Sequence, residues 1–202
     1  MRGRHDAFGV VLAGGLGRRI GGAKATVELR GQPLITYPLA ALTDSLSDVA
    51  IIAKADTELP SIRGVTVWIE PDLPRHPLVG IVQALALAGG RPVLACAADL
   101  PFVTPALIDR IVSTDPRGAP AVVPVCEGTM QPLLALYMPR AEQLLCPAAQ
   151  RGQSRLTVAV KALGPRTLEV DDPQPFFNIN APEDLLHAAA LLDGRDQPKV
   201  KS

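Results

Sequence analysis

Short apolar runs rich in Val, Ile and Ala recur along this chain, at Gly9–Ala13, Val49–Ala53, Val65–Ile69, Val93–Ala97, Ala121–Val125 and Leu133–Tyr137. Helical patterns fall between and after them, reading best over Leu34–Leu46, Leu78–Ala88, Pro105–Val112, Pro139–Cys146, Leu156–Leu163 and Pro182–Leu192. Runs that stay apolar on successive residues suit strands covered on both faces, and strands alternating with helices build βαβ units. The expected fold class is therefore α/β: a single Rossmann-like, doubly wound, mostly parallel sheet of about six to eight strands flanked by helices. A length of 202 residues suits one such domain with a full core. The expected division is a domain over 1–192 and a polar, Pro-containing tail over 193–202.

In an open α/β sheet, ligands gather beyond the carboxyl ends of the strands, so the loops there carry most of the functional information. The first is Gly14-Gly15-Leu16-Gly17-Arg18-Arg19-Ile20-Gly21-Gly22-Ala23-Lys24, which follows the apolar Val10–Ala13 directly. Glycines leave backbone N–H groups free to meet an anion, and the heads of Arg19 and Lys24 can neutralise several phosphate charges. A nucleoside triphosphate is the natural ligand of such a cradle. The loop is not a P-loop, because Lys24 is followed by Ala25 and no hydroxyl is placed for Mg²⁺. Gly15, Gly17 and Gly21 are spaced G-x-G-x-x-x-G, one residue from the dinucleotide fingerprint, which keeps a dinucleotide-binding module as an alternative. A plain glycine-rich surface turn is the third reading.

Composition narrows the partners. Lys+Arg and Asp+Glu are 20 each, so no net basic field favours nucleic acid or an anionic membrane, and a single tryptophan leaves little for stacking bases of a single strand. The longest apolar candidate for a span, Leu78–Ala88, is far short of the roughly 20 residues a bilayer requires. Cys96, Cys126 and Cys146 are odd in number and show neither C-x-x-C nor Cys/His metal spacing, which fits a reducing cytoplasm. Small-molecule substrates are expected.

Three later segments carry candidate chemistry. Asp99 follows the strand ending at Ala97, and Pro101 holds the turn extended, so its carboxylate stands at the ligand edge of the sheet. Mg²⁺ keeps most of its waters and takes one or two carboxylates plus phosphate oxygens, so one aspartate suffices for a Mg²⁺-nucleotide; a turn or helix-capping acid is the other reading. Asp72, in Glu70-Pro71-Asp72-Leu73-Pro74, reads by itself as a turn acid. Asn178 and Asn180 flank Ile179, so in an extended segment both amides face one way and can read a polar heterocycle, while Asn180 can also initiate the helix at Pro182.

Taken in order, Leu12-Ala13-Gly14-Gly15 with Arg19, Gly21 and Lys24, then Asp72, Pro77-Leu78-Val79-Gly80, Asp99-Leu100-Pro101-Phe102, Gln131–Leu136 and Phe177-Asn178-Ile179-Asn180-Ala181-Pro182-Glu183-Asp184-Leu185 resemble the molybdenum cofactor guanylyltransferases. These are nucleotidyltransferases of the glycosyltransferase A-like, nucleotide-diphospho-sugar transferase-like fold. The resemblance implies GTP lying with its phosphates on Gly14, Gly15, Arg19 and Lys24, its nucleoside near Leu12, Ala13 and Asp72, and Mg²⁺ on Asp99. Arg19, Lys24 and Asp99 are the implied catalytic residues. Asn178 and Asn180 are implied to hold molybdopterin, whose terminal phosphate takes GMP with release of pyrophosphate. A molybdoenzyme or a cofactor-delivery protein is the implied protein partner. The chain departs from the family pattern at Ala23, at Ile51-Ile52-Ala53-Lys54 and at His76. A cytidylyltransferase for the same cofactor, a sugar-phosphate nucleotidyltransferase and a catalytically silent cofactor-binding chaperone remain the alternatives.

Overall fold

The structure is a computed structural model that describes residues 5–14, 25–153 and 155–196. Strand β1 (His5–Leu12) is the axis of the sheet, paired in parallel with β4 (Leu46–Ala53) on one side and β6 (Val93–Ala97) on the other. Beyond β4 lies β5 (Thr66–Ile69), also parallel. On the β6 side, β9 (Leu134–Tyr137) runs antiparallel between β6 and β7 (Ala121–Cys126), and β10 (Arg166–Glu169) closes that edge parallel to β7. Among the described residues the sheet has eight strands, counting β8 (Thr129–Met130), which pairs with β7.

Why β8, and β9 after it, run against the other strands follows from the chain's length there. Only Glu127 and Gly128 join β7 to β8, with φ of 49° and 72°, the doubly positive conformation of a two-residue hairpin. So short a return cannot make the crossover that a parallel pair requires.

Both faces of the sheet are covered, as the continuous apolar runs require. Along β1, Val11 points into a core shared with α1 (Thr36–Ser45) and α3 (Pro105–Val112), supplied by Leu39, Leu42, Leu107, Ile108 and Ile111. Its neighbour Val10 points into the opposite core, where α2 (Pro77–Leu87), α4 (Ala141–Gln150) and α5 (Leu156–Ala162) contribute Leu78, Ile81, Leu85, Leu145 and Val160. Ile51 and Ile52 of β4 divide in the same way. A third, smaller cluster joins Leu29, Leu34, Phe102 and Ile179 to Ala188 of α6 (Pro182–Asp196), beside the hairpin of β2 (Glu28–Leu29) and β3 (Gln32–Pro33).

The structure adds four short strands to the six expected, β2, β3, β8 and β10, and several element ends differ from expectation. Helix α1 stops at Ser45 and the chain enters β4 at Leu46 without a loop, where φ and ψ have already become extended. Helix α4 runs through Pro147 to Gln150 instead of stopping at Cys146. Helix α6 continues to Asp196. Among the described residues no helix is long and apolar enough to cross a membrane.

Candidate functional site

The chain builds β4 and β5 on one side of β1 and then returns to lay β6 on the other. The carboxyl ends of these strands therefore open a crevice at the point where the winding reverses. A cavity of about 330 Å³ occupies it. Its wall takes Leu12, Ala13 and Gly14 from the end of β1, Ile52 from β4, Glu70 from beyond β5, and Ala97, Ala98 and Asp99 from the end of β6 and the turn after it. Arg75, His76, Pro77 and Gly80 close one side, and Asn178 and Asn180 another. Backbone bonds fix the floor: Ala13 N–H donates to Ile52 O at 2.9 Å, Ala98 N–H to Leu12 O at 3.2 Å, and Glu70 N–H to Ala53 O at 2.9 Å.

Of the expected site residues, Leu12, Ala13, Gly14, Asp99, Asn178 and Asn180 meet at this wall. Asp99 and Ile179 are far apart in sequence, and a single backbone bond joins them, Ile179 N–H donating to Asp99 O at 3.1 Å. Ile179 itself is fully buried, so the alternation of an extended segment turns the residues on either side toward the cavity. The segment is steadied at one end by Phe177, which packs edge-on against Phe102 and His187. It is steadied at the other by Asp184, whose Oδ2 accepts from Asn180 N–H at 2.8 Å and Ala181 N–H at 2.9 Å.

Asp99 is not the cap of the helix that follows it. That position belongs to Thr104, whose hydroxyl accepts from Leu107 N–H at 3.3 Å. Asp72 is exposed on the loop beyond β5 and does not line the cavity; its charge acts on Arg75, which does. Gly15, Arg19 and Lys24 lie outside the described residues.

Two site residues escape a reading of motifs. Lys54 and Glu70 stand one residue beyond the paired ends of β4 and β5, where Ala53 is in register with Ile69. Both are buried, at 1% and 5% exposure, and Lys54 Nζ lies 3.3 Å from Glu70 Oε1 while also donating to Pro71 O. Among the described residues, Glu70 Oε2 is buried without a hydrogen-bond donor. Burial pushes the Glu70 carboxyl above the usual carboxylate range, and Lys54 opposes that shift without cancelling it. The signal available in sequence was a pair of opposite charges directly after two apolar runs, Ile51-Ile52-Ala53-Lys54 and Val67-Trp68-Ile69-Glu70.

The same carboxylate explains two glycines. A Cβ built on Gly14 would overlap Glu70 Oε1, and one built on Gly80 would come within 3.0 Å of Oε2. Neither glycine has positive φ, so each is needed for space and not for backbone conformation. His76 has a structural task as well: its Nδ1 accepts from Leu78 N–H at 3.1 Å and so caps α2, with Pro77 in the first turn.

Comparison with known proteins places these features in a wider set. The family model described as the MobA-like NTP transferase domain matches residues 9–164. A molybdenum cofactor guanylyltransferase from Cereibacter sphaeroides is 33% identical over 189 residues, covering 92% of this chain and 96% of its own. One from Rhodobacter capsulatus is 35% identical, covering 91% and 95%. Among solved structures, molybdopterin-guanine dinucleotide biosynthesis protein A from Archaeoglobus fulgidus superposes with a TM-score of 0.77 at 25% identity, covering 93% of this chain and 99% of that one. The 2-C-methyl-D-erythritol 4-phosphate cytidylyltransferase of Thermus thermophilus shares the fold, with a TM-score of 0.68 at 22% identity over 93% and 99% of the two chains.

Proposed function

The chain belongs to the MobA-like NTP transferase family, a family of nucleotidyltransferases, and we propose that it transfers GMP from GTP to the terminal phosphate of molybdopterin. The observation that carries this reading is the bond from Ile179 N–H to Asp99 O. It sets the two asparagines of one wall beside the carboxylate of another, across a cavity whose third wall begins the glycine-rich loop.

In this reading the GTP phosphates rest on Gly14, Gly15, Arg19 and Lys24, and the nucleoside lies toward Leu12, Ala13 and the loop of Asp72. Asn178 and Asn180 hold the pterin. A phosphate oxygen of molybdopterin attacks the α-phosphorus in line, the bond to the β-phosphate oxygen breaks, and pyrophosphate leaves with that electron pair. The attacking group is already an oxyanion, so no protein base is required, and the work falls to positioning and charge neutralisation by Arg19 and Lys24. Asp99 is the residue that would hold Mg²⁺. A hard carboxylate oxygen at the cavity wall fits that ion, which takes the rest of its shell from water and phosphate. Bound there, Mg²⁺ would supply further neutralisation of the triphosphate charge. A cytoplasmic site of action and hand-over of the product to a molybdoenzyme or delivery protein complete the proposal.

The test is pyrophosphate release from GTP on addition of molybdopterin, with nucleotide affinity measured separately by calorimetry. Wild type turns over with GTP and not with CTP. Asp99→Ala lowers kcat by at least about a hundredfold while GTP affinity falls much less. Preference for CTP, or nucleotide binding without pyrophosphate release, overturns the proposal in favour of a cytidylyltransferase or a silent cofactor-binding relative.

A further inference from the structure

The unpaired oxygen of Glu70 belongs to a residue of the cavity wall, which also carries the apolar Leu12, Ile52, Pro77 and Gly80 and, among its polar members, Arg75, whose charge acts on Glu70. A buried carboxylate oxygen with no donor is costly, and a fold that retains one at a ligand cavity leaves the donor to be supplied by the ligand. Glu70 is not loosely placed. Its backbone N–H is bonded to Ala53 O, its Oε1 faces Lys54 Nζ, and Lys54 is in turn held by Pro71 O. The carboxylate carbon is therefore fixed. Rotation about the Cγ–Cδ bond, a broad torsion, is the freedom that remains and can turn an oxygen into the cavity.

Which ligand edge fits is decided by the acceptor character of the group. An ionised carboxylate only accepts hydrogen bonds. Guanine is the base that presents adjacent, parallel donors on one edge, N1–H and the 2-amino group. Adenine and cytosine present a ring-nitrogen acceptor beside their amino group, and uracil presents a single N–H flanked by two carbonyls; each sets an electron pair against the carboxylate. The absence of Cβ atoms at Gly14 and Gly80 is what lets this carboxylate stand at the cavity, since a side chain at either position would meet one of its oxygens. We propose that Glu70, positioned by Lys54, is the residue that selects guanine, by accepting hydrogen bonds from N1–H and the 2-amino group. The proposal deepens the reading above and rests on GTP being the substrate.

Inosine triphosphate differs from GTP only in lacking the 2-amino group, and deoxyguanosine triphosphate only in lacking the ribose 2′-hydroxyl. Binding of all three to the full chain, measured by calorimetry with Mg²⁺ present, isolates the contact. A hydrogen bond to a charged group predicts that wild type prefers GTP over ITP by about tenfold to a hundredfold. In Glu70→Gln the amide keeps an oxygen for Lys54 but sets an N–H₂ against the guanine donors. There the GTP/ITP ratio falls to within about threefold while the GTP/dGTP ratio is unchanged. Equal wild-type affinity for GTP and ITP overturns the proposal, and so does a preference that survives in Glu70→Gln. A change confined to the GTP/dGTP ratio overturns it in favour of a ribose contact. The wild-type comparison needs no variant, so equal affinities overturn the proposal even where Glu70→Gln fails to fold. A wild-type chain that binds no guanine nucleotide instead overturns the underlying reading.

Discussion

Replacing Gly14 by alanine tests whether Glu70 is as firmly placed as the geometry describes. The new Cβ would overlap Glu70 Oε1, whereas the carboxylate carbon is 3.6 Å away, an ordinary contact. Relief therefore has to come from turning or withdrawing the carboxylate, and that removes Oε1 from Lys54 Nζ, now 3.3 Å distant. The cost is that of a lost charge-assisted hydrogen bond in a buried setting, about 2–3 kcal/mol, within the range for overpacking a core. For a chain of this length each kcal/mol moves the melting temperature by roughly 2–4 °C, so Gly14→Ala lowers Tm by about 4–12 °C. Calorimetry or circular dichroism on the variant reads this directly. The same substitution in a Lys54→Met, Glu70→Ala background meets no carboxylate and costs under about 0.5 kcal/mol, so the cycle gives a coupling close to the whole effect. Equal losses in both backgrounds refute the reasoning, because they place the clash elsewhere.

Two further outcomes follow from the same structure. The folded-state pKa of Glu70 is raised above its ordinary value of 4.5, so between those values the native state holds more protons than the unfolded chain. The group's contribution is thus full below pH 4.5 and is lost as pH rises through the folded value. Urea titrations from about pH 4 to about pH 8 therefore find wild type losing stability relative to Glu70→Gln as pH rises; a difference that grows in favour of wild type shows attraction to Lys54 outweighing burial. Asp184→Ala removes the acceptor of two backbone donors at the start of α6, which costs about 1 kcal/mol and lowers Tm by roughly 2–4 °C. Because one of those donors is Asn180 N–H, KM for molybdopterin rises in that variant more than KM for GTP; an unchanged Tm refutes the capping role.

The parts of the fold that could be read in advance are those whose burial leaves a pattern. Val10 and Val11 enter opposite cores, and so do Ile51 and Ile52, which is why those strands appear as unbroken apolar runs. Strand β10 leaves no such trace, since Arg166–Glu169 is a largely exposed edge whose place is set by pairing with Val122–Val125. The end of α4 was hidden for the opposite reason: Pro147 forfeits one helix bond but does not stop a helix already packed through Leu145 and Ala149. In the site, Asp99, Asn178 and Asn180 were legible because their loops follow strand or precede helix signals. Lys54 and Glu70 were not, because their meeting depends on the register of β4 against β5, which neither run specifies alone.

That register also ties together two glycine positions that look independent along the chain. Gly14 opens the glycine-rich loop and Gly80 lies in the first turns of α2, yet both face the one carboxylate, and both lack positive φ. A side chain at either position would displace a Glu70 oxygen that a ligand is proposed to meet. The requirement for glycine at position 14 is then set in part by an acid distant in sequence and not only by the anion the loop is suited to meet. In the proposed reading, substitution there disturbs the base end of the cavity as well as its phosphate end, so a loss of nucleotide affinity in Gly14→Ala measures phosphate binding only after the Glu70 contribution has been removed in the double-variant background.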